Sequence, residues 1–162
     1  FLDEHTKGHH KYLGTDEDPA TAEKNETIYQ FIFKSAIGSH VMTWNREVDR
    51  IKKQHGENCG MFFHVVYNKM TMYFCIHFSI LSLILFFLGP SSLLYQMVYA
   101  FWGLWYLEVI NYIEHYGLKR ESDENGIVES ITKMHSWNST SSPILFRIQR
   151  HSDHHAHSFR PY

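Results

Sequence analysis

The chain has 162 residues, a formal net charge of −2 and a pI near 6.7, a length that suits one domain and no more. This charge balance argues against nucleic-acid binding, which requires a basic surface. The two cysteines, Cys59 and Cys75, form neither a CxxC motif nor a recognisable pair, so neither a disulfide framework nor a thiolate metal site is indicated. The unusual feature is a content of thirteen histidines.

The first histidines occur near the N-terminus, in the sequence EHTKGHH. His5 and His9 are separated by four residues, so on an α-helix they share one face, with His10 turned further round. Glu4 lies directly beside His5 and is a candidate to orient its ring. An ordinary solvated carboxylate is the alternative for Glu4.

A helix is predicted in the polar N-terminal 70 residues. Asp18 followed by Pro19 is typical of a helix N-cap with a first-turn proline. Apolar residues then recur at roughly helical spacing from Ile28 to Ile51. Such a helix could lie at a membrane interface or pack against the rest of a soluble fold, and both interpretations stay open.

Between Thr71 and Leu107 there is no Asp, Glu, Lys or Arg. A bilayer core is crossed by about 20 apolar residues, so this run has room for nearly two crossings. The sequence GPSS at 89–92 interrupts it and predicts a turn. We expect transmembrane helices at Thr71–Leu88 and Leu93–Tyr112, paired as a hairpin over 71–112. A buried hairpin of a soluble protein is the alternative.

Lysine and arginine predict the orientation, because all fifteen lie outside the hairpin. Two crossings return the chain to its starting side, and positively charged flanks favour the cytoplasm. We therefore expect one all-α integral-membrane domain over 1–162. Its parts are a cytoplasmic or interfacial segment at 1–70, the hairpin at 71–112 and a cytoplasmic segment at 113–162.

Two further histidine groups follow the hairpin. The sequence NYIEHYG places His115 just beyond the second hydrophobic helix, and ESDENGIVES at 121–130 is typical of an exposed acidic loop or hairpin. Near the C-terminus, QRHSDHH places His151, His154 and His155 at positions i, i+3 and i+4, on one helical face. Glu114 and Asp153 neighbour these histidines and, like Glu4, could orient a ligand ring through its second nitrogen or be ordinary solvated carboxylates.

The three groups together predict a metal centre. Seven imidazoles exceed what one tetrahedral zinc ion uses, so two metal ions are indicated. The absence of cysteine from all three groups argues against copper(I), iron–sulfur and structural zinc sites, but imidazole suits iron, copper, zinc and nickel alike. We interpret the isolated histidines as ordinary hydrogen-bonded side chains: His40, His55, His64 and His77. Two histidines near the clusters are intermediate cases: His135 and His157.

These motifs closely resemble those of the integral-membrane alkane 1-monooxygenases, the alkane omega-hydroxylases. The resemblance rests on EHTKGHH, NYIEHYGL and IQRHSDHHAHSFRPY, and the intervening DPATAEKNETIYQF and MHSWNS are also similar. It therefore covers almost the whole chain. The NYxEHYG element distinguishes this family from the related fatty acid desaturases, whose histidine boxes are HxxxH and HxxHH.

The resemblance implies a non-haem centre of two iron ions at the cytoplasmic end of a six-helix transmembrane enzyme, most readily in a bacterial inner membrane. The reaction would insert one oxygen atom of O2 into a terminal C–H bond of a medium-chain n-alkane. Rubredoxin would supply the electrons, which it receives from NADH through a rubredoxin reductase. Whether the enzyme forms a homo-oligomer is left open. By motif match, the iron ligands would be His5, His9, His10, His115, His151, His154 and His155.

One family motif, of the form HExxHK, is missing from this sequence, along with the transmembrane helices that precede it in the family. We therefore expect a partial chain of an active enzyme. A related hydroxylase or desaturase of another apolar substrate, such as an alkylaromatic or a fatty acyl chain, is an alternative. A non-catalytic membrane remnant that keeps the motifs without binding iron is another.

Overall fold

The computed structural model describes residues 5–138 and 151–157, and this part of the chain is helical. A π-helical turn at His5–His9 leads into the short α1, His10–Tyr12. A 3-10 turn occupies Lys133–His135. The remaining helices are α2 (Ile28–His55), α3 (Met61–Val66), α4 (Lys69–Leu88), α5 (Pro90–His115) and α6 (His151–Ala156). The predicted all-α class is confirmed for the described residues.

The chain divides into two compact units. One combines the N-terminal residues up to Ser39 with the residues from Leu107 onward, and the other is His40–Tyr106. All three predicted histidine groups fall in the first unit. Most of the predicted hydrophobic hairpin falls in the second.

Helix α2 begins later than Asp18 and Pro19 predict. Its first residue is Ile28, and Thr27 supplies the cap: the Gln30 backbone N–H donates to the Thr27 hydroxyl at 3.3 Å. In return the Thr27 backbone N–H donates to the Gln30 side chain at 3.1 Å, which completes a capping box. The prediction of an N-cap at Asp18 was wrong, because the reciprocal Thr27 and Gln30 pair stabilises a later start.

Helix α4 agrees with the first predicted hydrophobic helix to within two residues. The Asn68 side chain caps it by accepting a hydrogen bond from the Met70 backbone at 2.9 Å. Its 20 residues have a mean hydropathy of 2.1 in their most apolar window, and none of its side chains is buried. By length and composition, α4 can cross a membrane.

Helix α5 extends beyond the predicted Leu93–Tyr112 at both ends. Among the described residues α4 alone meets the length and hydropathy expected of a membrane span. Helix α5 also carries Tyr and Trp at many positions, which makes it less apolar than α4. Its crossing of a membrane, and the hairpin with α4, therefore stay predictions.

His115 is the last residue of helix α5. Gly117 follows with φ of +69°, a left-handed conformation that ends helices and that residues with a Cβ rarely adopt. The Gly117 backbone N–H then donates to the Ala22 carbonyl at 2.8 Å. This bond joins the end of α5 to the loop before α2.

A close contact fixes that loop against α2. A Cβ built on Gly38 would lie 2.5 Å from the Pro19 Cβ, so only glycine allows this approach. The buried apolar residues of the same unit are few and lie around the loop and the start of α2: Leu13, Ala20, Ala22, Phe31 and Ile32. Much of the interior here is polar, and it contains His9 and His115.

Arg120 joins the first histidine segment to the chain after α5. Its guanidinium donates to the Leu13 carbonyl at 2.6 Å and the Lys11 carbonyl at 2.8 Å. A third bond, at 2.9 Å, reaches the Glu129 carbonyl in the predicted acidic loop. That loop is exposed and closes on itself through an antiparallel bridge between Ser122 and Val128, as an exposed hairpin.

Candidate metal centre

The π-helical turn decides how the first histidines are presented. In a π-helix the backbone repeats at i+5 instead of i+4, and such turns occur often at functional sites. The Nε2 atoms of His5 and His10, five residues apart, approach to 3.2 Å. An α-helix would place His10 further round than His5 and His9, whereas the π-helical turn brings His10 against His5.

The seven predicted histidines lie together in two adjacent groups. The inner group is buried and comprises His9, His115, His151 and His155, whose ligand atoms lie within 4.8 Å of one another. The outer group is half-buried and comprises His5, His10 and His154, within the same limit. The groups meet where the rings of His10 and His155 have centroids 4.5 Å apart.

Three regions of sequence contribute to the inner group. The Nε2 atom of His115, at the end of α5, lies 3.2 Å from that of His9 and 3.1 Å from that of His151. Within α6, the Nε2 atoms of His151 and His155 are 2.8 Å apart, as their i, i+4 spacing predicts. His9 and His115 are 106 residues apart in sequence.

The distances between the ring nitrogens of the inner group match those between neighbouring ligands of one metal ion. With metal–nitrogen bonds of about 2.1 Å, neighbouring ligands at right angles are about 3.0 Å apart, and tetrahedral ones about 3.4 Å. The observed separations of 2.8 to 3.2 Å fall around the first value. Seven histidines within reach of one another fit two ions better than one.

The protonation of two rings supports the same conclusion. His9 Nδ1 lies 2.8 Å from the Asp18 carboxylate, which can only accept, so that nitrogen carries the proton. His115 Nδ1 faces the His135 carbonyl at 3.4 Å and the Ser136 hydroxyl at 3.3 Å, and it donates likewise. In their neutral forms both rings then present Nε2 lone pairs to each other, an arrangement that a cation between them stabilises.

Lowered pKa values hold six of the seven rings in the neutral, metal-binding form: His5, His10, His115, His151, His154 and His155. Burial, with a smaller contribution from neighbouring imidazoles, lowers the pKa of His5 to about 3 and that of His10 to about 4. The same causes lower the pKa of His151 to about 2 and hold those of His115 and His155 far below the ordinary value. Protons therefore compete weakly with a metal at neutral pH.

Asp18 is a carboxylate partner that the sequence did not predict. It is buried, and although burial opposes ionisation, its contact with His9 and hydrogen bonds from Thr21 and Ala20 hold its pKa below the usual value. Asp18 lies in a turn closed by a hydrogen bond from its backbone N–H to the Thr15 carbonyl. Such a turn has no sequence periodicity that would link Asp18 to His9. The Asp-Pro pair could be interpreted only as a helix start.

The three predicted carboxylates have different surroundings. Glu114 is buried beside the inner group, with Oε2 3.2 Å from His151 Nε2. Burial raises the pKa of Glu114 to about 8. Asp153 forms ion pairs with Lys133 at 2.7 Å and His157 at 3.3 Å. Glu4 lies outside the described residues.

The histidines left out of the predicted site have other partners. His135 Nε2 contacts Glu129 at 3.1 Å, and its Nδ1 accepts from the Thr132 backbone at 3.0 Å. His77 donates to the Tyr73 carbonyl at 2.8 Å, and His64 lies 3.3 Å from the Cys59 thiol. None of these belongs to a candidate metal group within the described residues.

Comparison with known proteins assigns the chain to a family. The family model for fatty acid desaturase matches residues 1–162. The chain is 39% identical over 165 residues to alkane 1-monooxygenase 1 of Alcanivorax borkumensis, an alignment that covers 100% of this chain and 40% of that relative. It is 38% identical to alkane 1-monooxygenase of Ectopseudomonas oleovorans, with the same coverage.

A weaker match extends the set of relatives. The chain is 26% identical over 154 residues to the xylene/toluene monooxygenase hydroxylase component of Pseudomonas putida, covering 93% of this chain and 39% of that relative. The chain thus spans about 40% of the length of the curated relatives it matches. Its histidine cluster and its full-length match together show that it belongs to the fatty acid desaturase family and is a relative of the alkane 1-monooxygenases.

Proposed function

We propose that the chain forms part of a membrane-bound, non-haem di-iron monooxygenase that hydroxylates the terminal carbon of medium-chain n-alkanes. One observation carries the proposal: three separate regions of sequence bring seven imidazoles into two adjacent groups, with neighbouring Nε2 atoms 2.8 to 3.2 Å apart. The similarity to alkane 1-monooxygenases over the full chain supports this substrate class.

The two groups suggest how the ligands divide between the two iron ions. His9, His115, His151 and His155 would hold one, and His5, His10 and His154 the other. When bound, the iron pair supplies the binding and reduction of O2. The chain's own residues hold the imidazole rings in place and, through burial of the inner group, keep water away from the reacting centre.

The overall reaction consumes an alkane, O2, two electrons and two protons and yields a primary alcohol and water. Rubredoxin is the proposed electron donor, supplied from NADH through a reductase. We place the histidine groups on the cytoplasmic side of a bacterial inner membrane. The apolar side chains of α4, none of which is buried, support a membrane location, where an alkane also concentrates.

A second candidate substrate class is the methyl group of an alkylaromatic. The match to the hydroxylase component of a xylene/toluene monooxygenase favours it, and its chemistry needs the same metal centre. Fatty acyl desaturation is a third outcome to test, because the matching family model carries the name of that activity. The products distinguish these classes.

The experiment uses the full-length protein in membranes, with rubredoxin, its reductase and NADH. Octane, hexadecane, toluene and a fatty acyl substrate are offered separately, and bound iron and products are measured. We expect two irons per chain and 1-octanol from octane. The His154→Ala variant should lose iron and abolish the product, because it removes a member of the outer group.

The control is His64→Ala, a histidine that lies outside both groups. It should keep normal iron and activity. Benzyl alcohol from toluene with no 1-octanol would replace the alkane assignment by the alkylaromatic one. A wild-type protein that binds no iron would refute the proposal and support a non-catalytic remnant, and a fully active His154→Ala would remove that residue from the ligands.

A further inference from the structure

Asp18 lies behind His9, on the side of the ring that faces away from the other imidazoles. Its Oδ2 is 2.8 Å from His9 Nδ1, while His9 Nε2 points to His115 Nε2 at 3.2 Å. The two ring nitrogens of His9 therefore have different partners. One is held by the protein, and the other faces the inner group.

The carboxylate of Asp18 is itself fixed. The Thr21 hydroxyl donates to Oδ2 at 2.7 Å, and the Ala20 backbone N–H donates to Oδ1 at 3.1 Å. Thr21 in turn accepts from the Gly14 backbone N–H at 2.9 Å, five residues after His9. Asp18 is only 3% exposed, so water does not replace these partners.

This arrangement places a proton on His9 Nδ1. An ionised carboxylate accepts hydrogen bonds and cannot donate, so His9 must carry its proton on Nδ1. In the neutral ring the lone pair is then on Nε2, directed into the inner group. A carboxylate behind a metal-binding histidine fixes both its tautomer and its ring orientation.

We propose that Asp18 is a positioning residue of the inner metal site, which acts by holding His9 as the Nδ1–H tautomer with its Nε2 lone pair available to the metal. The inference rests on the proposed function for the presence of a metal. It adds a residue that none of the three histidine motifs contains. Asp18 does not itself contact the metal; it acts through His9.

The variant Asp18→Asn tests the tautomer directly. Asparagine has nearly the same shape, and its oxygen can still accept from the Ala20 backbone. Its amide nitrogen then faces His9 and donates to Nδ1, which moves the ring proton to Nε2 and occupies the lone pair that would bind metal. The Thr21 hydroxyl can adapt by accepting instead of donating.

The matched control is Asp16→Asn in the same loop. Asp16 is exposed and pairs with Lys119 at 2.8 Å, so its substitution removes one carboxylate charge without touching a histidine. It should leave metal affinity unchanged. A general effect of lowered negative charge would instead appear in both variants.

Two measurements on the full-length protein decide the question. Affinity for Fe(II) is measured by competition with a chelator in the absence of oxygen, and the Asp18→Asn variant should bind about 10- to 100-fold more weakly, the loss typical of such partners. The second measurement is the nitrogen-15 spectrum of histidine-labelled, metal-free protein in membranes. One Nδ1–H imidazole should become Nε2–H in Asp18→Asn and not in Asp16→Asn.

Each outcome supports or overturns the inference. Unchanged iron affinity in Asp18→Asn overturns it, and so does weaker affinity with unchanged tautomers, because Asp18 would then be only a structural residue. If Asp18→Asn does not fold, Thr21→Val replaces it. That variant keeps the carboxylate but frees it, and it should weaken iron binding by a smaller factor; wild-type affinity there overturns the inference.

The Asp18→Glu variant provides the rescue, because it keeps an acceptor that cannot donate. It should retain the Nδ1–H tautomer and bind iron more tightly than Asp18→Asn, whereas equal loss in both would count against the tautomer mechanism. Failure of the proposed function is separate. It would appear as absence of iron in the wild-type protein, whatever the variants do.

Discussion

Gly38→Ala should weaken the metal centre, although Gly38 is on α2 and contacts no histidine. An added Cβ would lie 2.5 Å from the Pro19 Cβ and 3.1 Å from its Cγ. Carbon atoms in favourable contact are about 3.5 to 4.0 Å apart, so Pro19 or α2 must move by roughly 1 Å. Pro19 directly follows Asp18 in sequence, so this shift acts on the carboxylate that holds His9.

The magnitude follows from two opposing effects. Overpacking of this kind costs about 1–3 kcal/mol. Alanine in a helix interior is more favourable than glycine by about 1 kcal/mol, which offsets part of that cost. We therefore expect a net loss of roughly 0 to 2 kcal/mol of unfolding free energy, together with an iron affinity lowered by the displacement of Asp18.

The matched control is Gly103→Ala in α5. Gly103 is also a helical glycine, but a Cβ there meets no atom within 4 Å, so only the gain in helix propensity remains. Thermal unfolding followed by circular dichroism and chelator competition for Fe(II) measure both variants. If Gly38→Ala is as stable as Gly103→Ala and binds iron normally, the close approach of α2 to Pro19 does not hold Asp18 in place, and the reasoning is refuted.

Three further predictions concern the centre and its support. A chelator should remove iron from the loaded protein in two phases, the faster from the half-buried group of His5, His10 and His154 and the slower from the buried group. The amount of iron released is measured against time. Release of both irons in a single phase would contradict the prediction. Arg120→Ala should lower stability by about 2 kcal/mol through three lost hydrogen bonds to backbone carbonyls. The exposed neighbour Lys119→Ala should change thermal stability far less, and equal losses in the two variants would show that Arg120 does not hold the first histidine segment. Asp153→Ala should reduce iron affinity less than Asp18→Asn, because its ion pairs are with Lys133 and His157; titration with Fe(II) compares them, and a larger loss in Asp153→Ala would reverse their order.

The two groups differ in how the protein supports them. In the inner group, Asp18 holds the Nδ1 atom of His9, and the His135 carbonyl and Ser136 hold that of His115. Rings that are fixed from behind lose little freedom on binding a metal, which favours tight retention. This is the physical basis for expecting the two iron positions to exchange at different rates.

Sequence alone determined the features that depend on neighbours along the chain. The uncharged apolar run predicted α4, because such a run is stable as a helix whose backbone bonds are all internal. The i, i+4 spacing of His151 and His155 predicted their shared face, which the structure shows with Nε2 atoms 2.8 Å apart. Seven histidines in three motifs were enough to predict a metal centre and, with the resemblance, its family.

Only the tertiary structure decided which rings meet. The separation of His9 from His115 by 106 residues has no periodic signal, since their contact depends on the path of the chain through Gly117 and Arg120. The π-helical turn, which pairs His10 with His5, departs from the α-helical period on which the prediction relied. Asp18 became a partner of His9 because a turn folds back and desolvates the pair, and burial of that kind is a property of the folded chain and not of its local sequence.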